Sequence, residues 1–325
     1  MEKFEMKGRI PLPGATVPAA RRQSLPRRIR KNWQLYLFLL VPVAYILIFA
    51  YVPMAGLQLA FKKFTASGGI WGSPWVGMQQ FQKFFSSYQF ERVIKNTLTL
   101  SLYGLVAGFP FPILLALVLN SLRSDRYRKA AQTITYLPYF ISTVVLVGIL
   151  VQVLNPRVGL AANISRAVSG GDPPDLMSNP SAFSHLYVWS GVWQSMGYNS
   201  IIYIAALAGV DPNLHEAAQI DGASRFQRVL HIDLPAILPT AAILLILSAG
   251  QLMNIGFEKV FLMQNNMNVS ASEVISTYVY KVGLAAAITD FSYATAIGLF
   301  NSVINMILML VVNFASKHLN GNSLF

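Results

Sequence analysis

Six long apolar runs alternate with short polar segments along the chain, and this pattern predicts an all-α membrane protein. Each run is long enough for a helix, rising about 1.5 Å per residue, to cross the hydrocarbon core of a bilayer. None of the runs contains Asp, Glu, Lys or Arg. The predicted membrane-spanning helices are residues 33–57, 97–122, 130–154, 186–210, 236–257 and 291–316. Residues 1–32 form a basic N-terminal segment, and residues 33–325 form the transmembrane domain.

Composition and charge support this interpretation and orient the helices. The chain is 54% hydrophobic and 12% charged, whereas soluble domains carry about 25% charged residues. Lys and Arg lie mostly at the N-terminus and in the short segments between runs, which indicates membrane topology rather than nucleic-acid binding. Alternate sides hold 16 and nine of these residues. Because cytoplasmic segments carry the excess of Lys and Arg, both termini are predicted to be cytoplasmic.

The inventory of reactive residues argues against an enzyme. Cysteine is absent, the four histidines are scattered, and the sequence contains no phosphate-binding loop. The runs also lack the Asp, Glu or His residues through which proton-coupled carriers relay protons. A stand-alone secondary carrier and an intramembrane enzyme acting on lipid-linked sugar are therefore the weaker alternatives. If this protein moves a solute uphill, another polypeptide must supply the energy.

Proline positions and a segment rich in aromatic residues predict two further features. Pro110 and Pro112 in the second run and Pro138 in the third predict kinked helices, because proline removes a backbone donor and crowds the preceding turn. The first outer segment is rich in aromatic residues, and we interpret it as a helix lying at the membrane interface. The aromatic residues that indicate this are Trp71, Trp75, Phe81, Phe84, Phe85 and Phe90.

One cytoplasmic segment, residues 212–239, is unusually polar and contains EAAQIDGASRFQRVLHIDLP. Pro212 after Asp211 predicts a helix start, and Gly222 predicts a turn before a second helical segment. Small and apolar residues recur on one side, while Glu216, Arg225 and Arg228 are charged. Such a helix would fit a groove in a soluble partner. The alternative interpretation is an ordinary basic loop.

The order and spacing of this segment resemble the EAA motif of binding-protein-dependent ABC importer permeases. The matching positions are Glu216, Ala217, Ala218, Asp221, Gly222, Ala223, Ile232, Leu234, Pro235 and Pro239. About ten defined positions at fixed spacing rarely coincide by chance. From about Trp33 onward, the chain is also similar to the branch that imports oligosaccharides and polysaccharide fragments.

This resemblance implies a type I importer fold with six transmembrane helices, in the cytoplasmic (inner) membrane of a bacterium. The permease would form a heterodimer with a second, homologous permease. Two ATPase subunits would bind ATP and Mg²⁺ and grip the motif helices, so this chain would need no cofactor of its own. An external solute-binding protein would deliver the sugar. The implied coupling residues are Glu216, Ala217, Ala218, Asp221, Gly222, Ala223, Arg225, Arg228, Leu234 and Pro235.

The fourth and fifth runs carry the candidate sugar-binding residues. Sugar sites combine aromatic faces with amide and hydroxyl groups, and helical spacing predicts that each set shares a face. Counting outward from the motif, as in the related maltose importer, indicates the same stretches. The candidates are Trp193, Gln194, Tyr198, Asn199, Ser248, Gln251, Asn254 and Ile255. Each of these polar groups could instead bond one helix to another.

The expected cargo is alginate or a similar acidic oligosaccharide, although a neutral oligosaccharide fits the same residues. No Lys or Arg lies inside the runs to balance a sugar carboxylate. The charge could be met by the second permease, by Lys259 or Lys281 near the outer mouth, or by neutral donors. Peptides, amino acids and phosphate remain alternative solutes, since permeases for them share the motif.

Overall fold

The computed structural model describes residues 32–171 and 173–320, without the side chains of residue 169 and residues 315–320. Most of the basic N-terminal segment predicted over residues 1–32 therefore lies outside the described residues. The chain divides into two units, one ending at Gly56 and the other beginning at Leu57. In the first unit, helix α1, Trp33–Ile46, is followed by a π-helical turn, Leu47–Tyr51, and neither contains a buried residue.

The described part of the chain is helical and contains no β-strand. A 3₁₀ segment, Val52–Phe61, is followed by short helices and five long helical segments. The first group is α2 Gly69–Gly72, α3 Gln79–Phe85, α4 Tyr88–Gly108, α5 Pro110–Asn120, α6 Asp125–Tyr136, α7 Thr143–Val153, α8 Leu160–Ser169 and α9 Pro180–Leu207. The second group is α10 Pro212–Ile220, α11 Arg225–Arg228, α12 Leu234–Gly250, α13 Phe257–Met263, α14 Val269–Ser272, α15 Ile275–Tyr280 and α16 Phe291–Asn320.

Four helical segments of the described chain are long and apolar enough to cross a membrane, and a bent pair makes a fifth. The four are Trp33–Phe61, Tyr88–Asn120, Arg225–Gly250 and Phe291–Phe314, and the bent pair is Asp125–Phe140 with Thr143–Val153. Helix α9 lies at the position of the predicted fourth span and is 28 residues long. It contains more Ser, Tyr, Trp and amide side chains than those segments do. Six spans and cytoplasmic termini therefore stay predictions.

The third predicted span is not a kinked helix but two helices bent by 96°. A 3₁₀ turn, Leu137–Phe140, ends the first helix, and Ser142 caps the second by accepting a hydrogen bond from the Val145 amide at 3.3 Å. The Ile141 carbonyl left free at the break accepts a hydrogen bond from the Gln194 side chain at 2.8 Å. A side chain from α9 thus satisfies the backbone that the bend exposes.

The fifth predicted span ends earlier than expected, at Gly250 rather than at residue 257. A turn over residues 251–256 then leads into α13. The Met253 amide in this turn donates to the Asn305 side chain of α16 at 2.9 Å. Helical periodicity therefore does not extend to Gln251, Asn254 and Ile255, because a tertiary hydrogen bond supports a non-helical backbone there.

The aromatic outer segment packs against the last helix of the chain. Phe84 is fully buried in a hydrophobic cluster that includes Tyr293 and Ile297 of α16. Phe90 packs edge-on against Phe84 with ring centroids 5.0 Å apart. Trp71 and Trp75 remain exposed. The segment therefore has an apolar inner side that anchors it to the last helix and an exposed aromatic side.

Helix α9 is central to the second unit, because it packs against α4, α5, α6 and α12. Its contact with α6 is especially close at Gly197. A Cβ atom at Gly197 would lie 2.0 Å from the Thr135 carbonyl oxygen. Only a residue without a side chain permits this approach of two helices.

We predict that Gly197→Ala will destabilise the protein, because the added methyl group overlaps a backbone atom. Overpacking of this kind costs about 1–3 kcal/mol, and the gain in helix propensity of about 1 kcal/mol offsets part of it. Thermal unfolding of the purified protein in detergent would measure the difference. Gly148→Ala in α7 is the matched control, since a Cβ there meets nothing within 4 Å. Equal melting temperatures for the two variants would contradict this account of the packing.

Candidate functional site

A cavity of about 470 Å³ lies between α4, α5, α9, α12 and the turn that follows α12. Its walls combine aliphatic side chains with hydroxyl and amide groups, and none of the described residues that line it is charged. The polar lining consists of Ser101, Tyr187, Ser195, Asn199, Tyr203, Ser248, Gln251 and Asn254. A cavity with this lining can bind a neutral polyhydroxylated molecule through several donors and acceptors at once.

Several of these polar groups have unused hydrogen-bonding capacity. The Ser101 hydroxyl is buried and has no partner in the part of the chain that the structure describes. Ser248 donates to the Leu244 carbonyl at 2.8 Å and keeps its acceptor capacity. Asn254 donates to the Gln251 side chain at 3.1 Å. Since an unpaired buried polar group is costly, the Ser101 hydroxyl favours a polar occupant in the cavity, whether solute or water.

Five of the eight predicted sugar-binding residues line this cavity together: Asn199, Ser248, Gln251, Asn254 and Ile255. The other three lie elsewhere. Gln194 bonds the Ile141 carbonyl at the break of the third span. Tyr198 stacks on Tyr139 with ring centroids 3.8 Å apart. Trp193 is half exposed and does not line the cavity.

Sequence reasoning missed four polar lining residues, Ser101, Tyr187, Ser195 and Tyr203. A usable signal was present in α9. Tyr187, Ser195, Asn199 and Tyr203 recur at intervals of eight or four residues, so they share one face of the helix. Gln194 and Tyr198 occupy the adjacent face, and the choice between the two faces requires knowing which helices pack on each.

The motif-bearing segment forms the predicted helix and turn. Asp211 caps α10 by accepting a hydrogen bond from the Asn213 amide at 3.0 Å. At the other end, Gly222 has a φ of +79°. The Ala223 amide donates to the Ala218 carbonyl at 2.9 Å, and the Gly222 amide donates to the Gln219 carbonyl at 3.1 Å. This is a Schellman ending, in which glycine supplies the left-handed conformation without steric cost.

The second half of the motif continues into a long helix. Ser224 and Gln227 form a capping box at the start of α11. A π-helical turn, Val229–Asp233, joins α11 to α12, which begins at Leu234 and Pro235. The motif segment is therefore continuous with α12, which contributes Ser248 to the cavity wall.

Side-chain contacts also connect α10 with the end of α5 and the start of α12. His215 Nε2 lies 3.3 Å from the Asp233 carboxylate, and the Asn120 side chain at the end of α5 donates to the same carboxylate at 3.4 Å. These residues border a second cavity of about 580 Å³ that Glu216, Arg225 and Arg228 also line. One buried carboxylate thus connects the motif helix with α5 and α12, two helices of the first cavity.

The outer surface of the motif segment is both apolar and charged. Ile220 is 86% exposed and Phe226 is 75% exposed, and Glu216 is exposed beside them. Ala217, Asp221 and Gly222 are exposed as well, whereas Ala218 and Ala223 are partly covered. Large exposed apolar side chains on a short amphipathic helix are typical of a protein-binding surface.

Membrane-spanning helices around a polar cavity, with a motif-bearing loop joined to one wall, define a membrane transport component rather than an enzyme. The chain belongs to the family described as binding-protein-dependent transport system inner membrane component, whose model matches residues 108–321. It is a permease subunit, and the family assignment confirms the resemblance seen in the motif.

Curated relatives match almost the whole chain. Protein LplB of Bacillus subtilis is 39% identical over 91% of this chain and 92% of its own length. The polygalacturonan/rhamnogalacturonan transport system permease protein YteP of the same organism is 38% identical over 94% of each chain. The arabinooligosaccharides transport system permease protein AraP, also from Bacillus subtilis, is 29% identical over 94% of this chain and 95% of its own.

Solved structures show the same fold. A crystal structure of a bacterial ABC transporter involved in the import of the acidic polysaccharide alginate contains a chain with 42% identity and a TM-score of 0.83, covering 91% of this chain and 99% of its own. A second structure, of bacterial alginate ABC transporter in complex with alginate pentasaccharide-bound periplasmic protein, gives 41% identity and a TM-score of 0.84, covering 92% and 99%. The predicted ABC importer permease fold is therefore confirmed.

Proposed function

We propose that this chain is the permease subunit of an ATP-driven importer for acidic oligosaccharides, with alginate oligomers as the best single candidate. The observation that carries the proposal is the cavity between α4, α5, α9, α12 and the turn after α12. Its volume of about 470 Å³ is within the range of small-molecule sites, about 300–1,000 Å³. Tyrosine faces and amide groups are the combination that binds sugar rings and their hydroxyl rims.

The relatives support an acidic oligosaccharide as the cargo. The two structural neighbours import alginate, and YteP is named for polygalacturonan, which is also a polymer of sugar acids. AraP is named for arabinooligosaccharides, which are neutral. Its identity to this chain is lower, at 29%. A neutral oligosaccharide is therefore the second candidate, and the uncharged cavity lining favours testing it.

The proposed membrane layout has six spans and cytoplasmic termini, in the cytoplasmic membrane of a bacterium. Helix α9 serves as the fourth span, since 28 residues reach about 42 Å at 1.5 Å per residue. Two of its polar residues are kept from lipid in this layout, because Ser200 is fully buried and Asn199 lines the cavity. The bent pair α6 and α7 serves as the third span, broken where side chains satisfy the backbone.

The motif segment is proposed to couple this subunit to its partners. A second permease would complete the translocation pathway, and an external solute-binding protein would deliver the sugar. Two ATPase subunits would bind ATP and Mg²⁺, and one would hold α10 through the exposed surface around Glu216, Ile220 and Phe226. Closure of the ATPases would move α10, and the contacts of Asp233 and the start of α12 would transmit that movement to the cavity.

We predict that Gly222→Asp and Glu216→Lys will uncouple ATP hydrolysis from transport while the permease remains folded. The first variant forces a side chain into the left-handed region, which costs about 1–2 kcal/mol, and so alters the end of α10. The second reverses the charge of the proposed contact. Sugar uptake and ATP hydrolysis by the reconstituted complex, measured side by side, would reveal uncoupling. Gly209→Ala, just before α10, is the control, since the φ of Gly209 is not positive. Normal uptake in both motif variants would reject the coupling assignment.

We predict that Asn199→Leu and Gln251→Leu will each lower sugar affinity, because each removes hydrogen bonds from the cavity. Loss of one such bond in a site changes affinity by about tenfold or less. Gln194→Leu is the informative comparison, as Gln194 bonds the Ile141 carbonyl instead. That variant should lower thermal stability and leave the affinity of the folded protein nearly unchanged. The reverse pattern, with affinity lost only in Gln194→Leu, would mean that the cavity is not the sugar site.

The test of the proposed function is ATP hydrolysis by the purified, reconstituted complex with its binding protein, as candidate oligosaccharides are added one at a time. We expect stimulation by alginate oligomers. Stimulation only by another acidic oligomer or by a neutral one would keep the importer and replace the cargo. Failure of every sugar, in a complex shown to be intact, would move the assignment to peptides, amino acids or phosphate.

A further inference from the structure

Lys259 of α13 lies directly behind one wall of the cavity. Its Nζ atom donates a hydrogen bond to the Tyr187 carbonyl of α9 at 2.8 Å and is 4.9 Å from the centroid of the Tyr187 ring. Tyr187 itself lines the cavity, as does Gly256 near the start of α13. The ammonium group is therefore adjacent to the cavity, although every lining residue is uncharged.

A glycine on α9 makes room for this ammonium group. Tyr187, Gly191, Ser195 and Asn199 are spaced four residues apart and form one row along α9. All except Gly191 line the cavity. A Cβ atom at Gly191 would lie only 3.2 Å from Lys259 Nζ. The Lys259 ammonium group therefore lies beside Gly191, in the row of α9 that carries three cavity-lining residues.

The charge has no carboxylate partner in the described parts of the chain. Three other basic residues of the predicted outer segments do have a carboxylate partner. Lys83 pairs with Asp290 at 2.8 Å. Lys281 and Arg92 both contact Glu273, at 3.3 Å and 3.6 Å. Lys281, the alternative counter-charge, is therefore already paired. An unpaired, partly buried cation is costly unless an anion joins it.

We propose that Lys259 is the counter-charge for a sugar carboxylate in the cavity, at the level of Tyr187 and Ser195. This inference rests on the proposed function and deepens it by assigning the residue that recognises the acid. A lysine ammonium has three donors, so it keeps its bond to the Tyr187 carbonyl and has two left for a carboxylate. The neutral donors of the remaining lining bind the hydroxyl groups of the sugar.

The acidity of Lys259 supplies a second readout. Burial lowers the pKa of the Lys259 ammonium to about 8, so the group is charged at neutral pH and becomes neutral as the pH rises through 8. The titratable residues of α13 and of the helices packed against it, apart from Lys259 itself, are His185, Tyr187, Tyr198, Tyr203, Glu258, Tyr278 and Tyr280, and α7 carries none. His185 shares a hydrogen bond with the Tyr103 hydroxyl group at 2.9 Å. Because Lys259 loses its charge in this range, binding of an acidic sugar should weaken as the pH rises through about 8.

The experiment measures the affinity of the reconstituted complex for a mannuronate trisaccharide and for its carboxyl-reduced, neutral counterpart, without the binding protein. We expect Lys259→Met to weaken binding of the acidic sugar about tenfold, as for loss of a charge-assisted hydrogen bond, and to change the neutral one by less than about twofold. Lys259→Arg should retain binding of the acidic sugar and abolish its decline at high pH, because the guanidinium stays charged.

Lys281→Met is the matched control and should leave both affinities unchanged, since Lys281 is paired with Glu273. Thermal unfolding of each variant checks that it is folded, and the pH profile of Lys259→Arg decides the case if Lys259→Met is unstable. Equal loss of the acidic and neutral sugars in Lys259→Met, or an unchanged pH profile in Lys259→Arg, would overturn the inference and leave the importer intact. Failure of the unmodified complex to bind the acidic trisaccharide would instead overturn the proposed cargo.

Discussion

The structure depends on how backbone hydrogen bonds are satisfied where its helices break. Hydrocarbon offers no partner for a free amide or carbonyl, so each break between long apolar helices requires protein groups to replace the lost bonds. Gln194 binds the Ile141 carbonyl at the 96° bend of the third span, and Asn305 accepts from the Met253 amide in the turn after α12. The side-chain amides of Gln194 and Asn305 both belong to helices other than the ones that break. Each break is therefore also a point at which distant parts of the chain are held together.

These breaks create the polar site. Because α12 ends at Gly250, the following turn directs Gln251 and Asn254 into the cavity beside Asn199 of α9. Other helices cover the polar row of α9, and the close approach at Gly197 and Thr135 helps to hold that cover. The polar residues that make α9 less apolar also allow it to line a cavity suited to a hydrophilic solute.

The charged groups near the cavity lie at its borders. Charged groups are absent from the cavity lining, and Lys259 lies just outside it, held by the Tyr187 carbonyl and ring. At the opposite end of α12, the Asp233 carboxylate joins His215 of the motif helix to Asn120 of α5. One helix and the turn that follows it thus connect the motif segment with the polar cavity.

The sequence by itself determined the helical class, the family and the motif segment, because apolar length, motif spacing and the signals around Asp211 and Gly222 are local properties. The tertiary structure decided which polar residues meet. Gln194 and Asn199 carry the same kind of side chain on neighbouring faces of α9, and only the packing of the third span separates a backbone partner from a cavity-lining residue. Likewise, the sequence alone does not show which of Lys259 and Lys281 has a carboxylate partner. Glu273 pairs one of them, while Gly191 makes room for the other, since contacts between residues far apart in the chain are settled by packing rather than by periodicity.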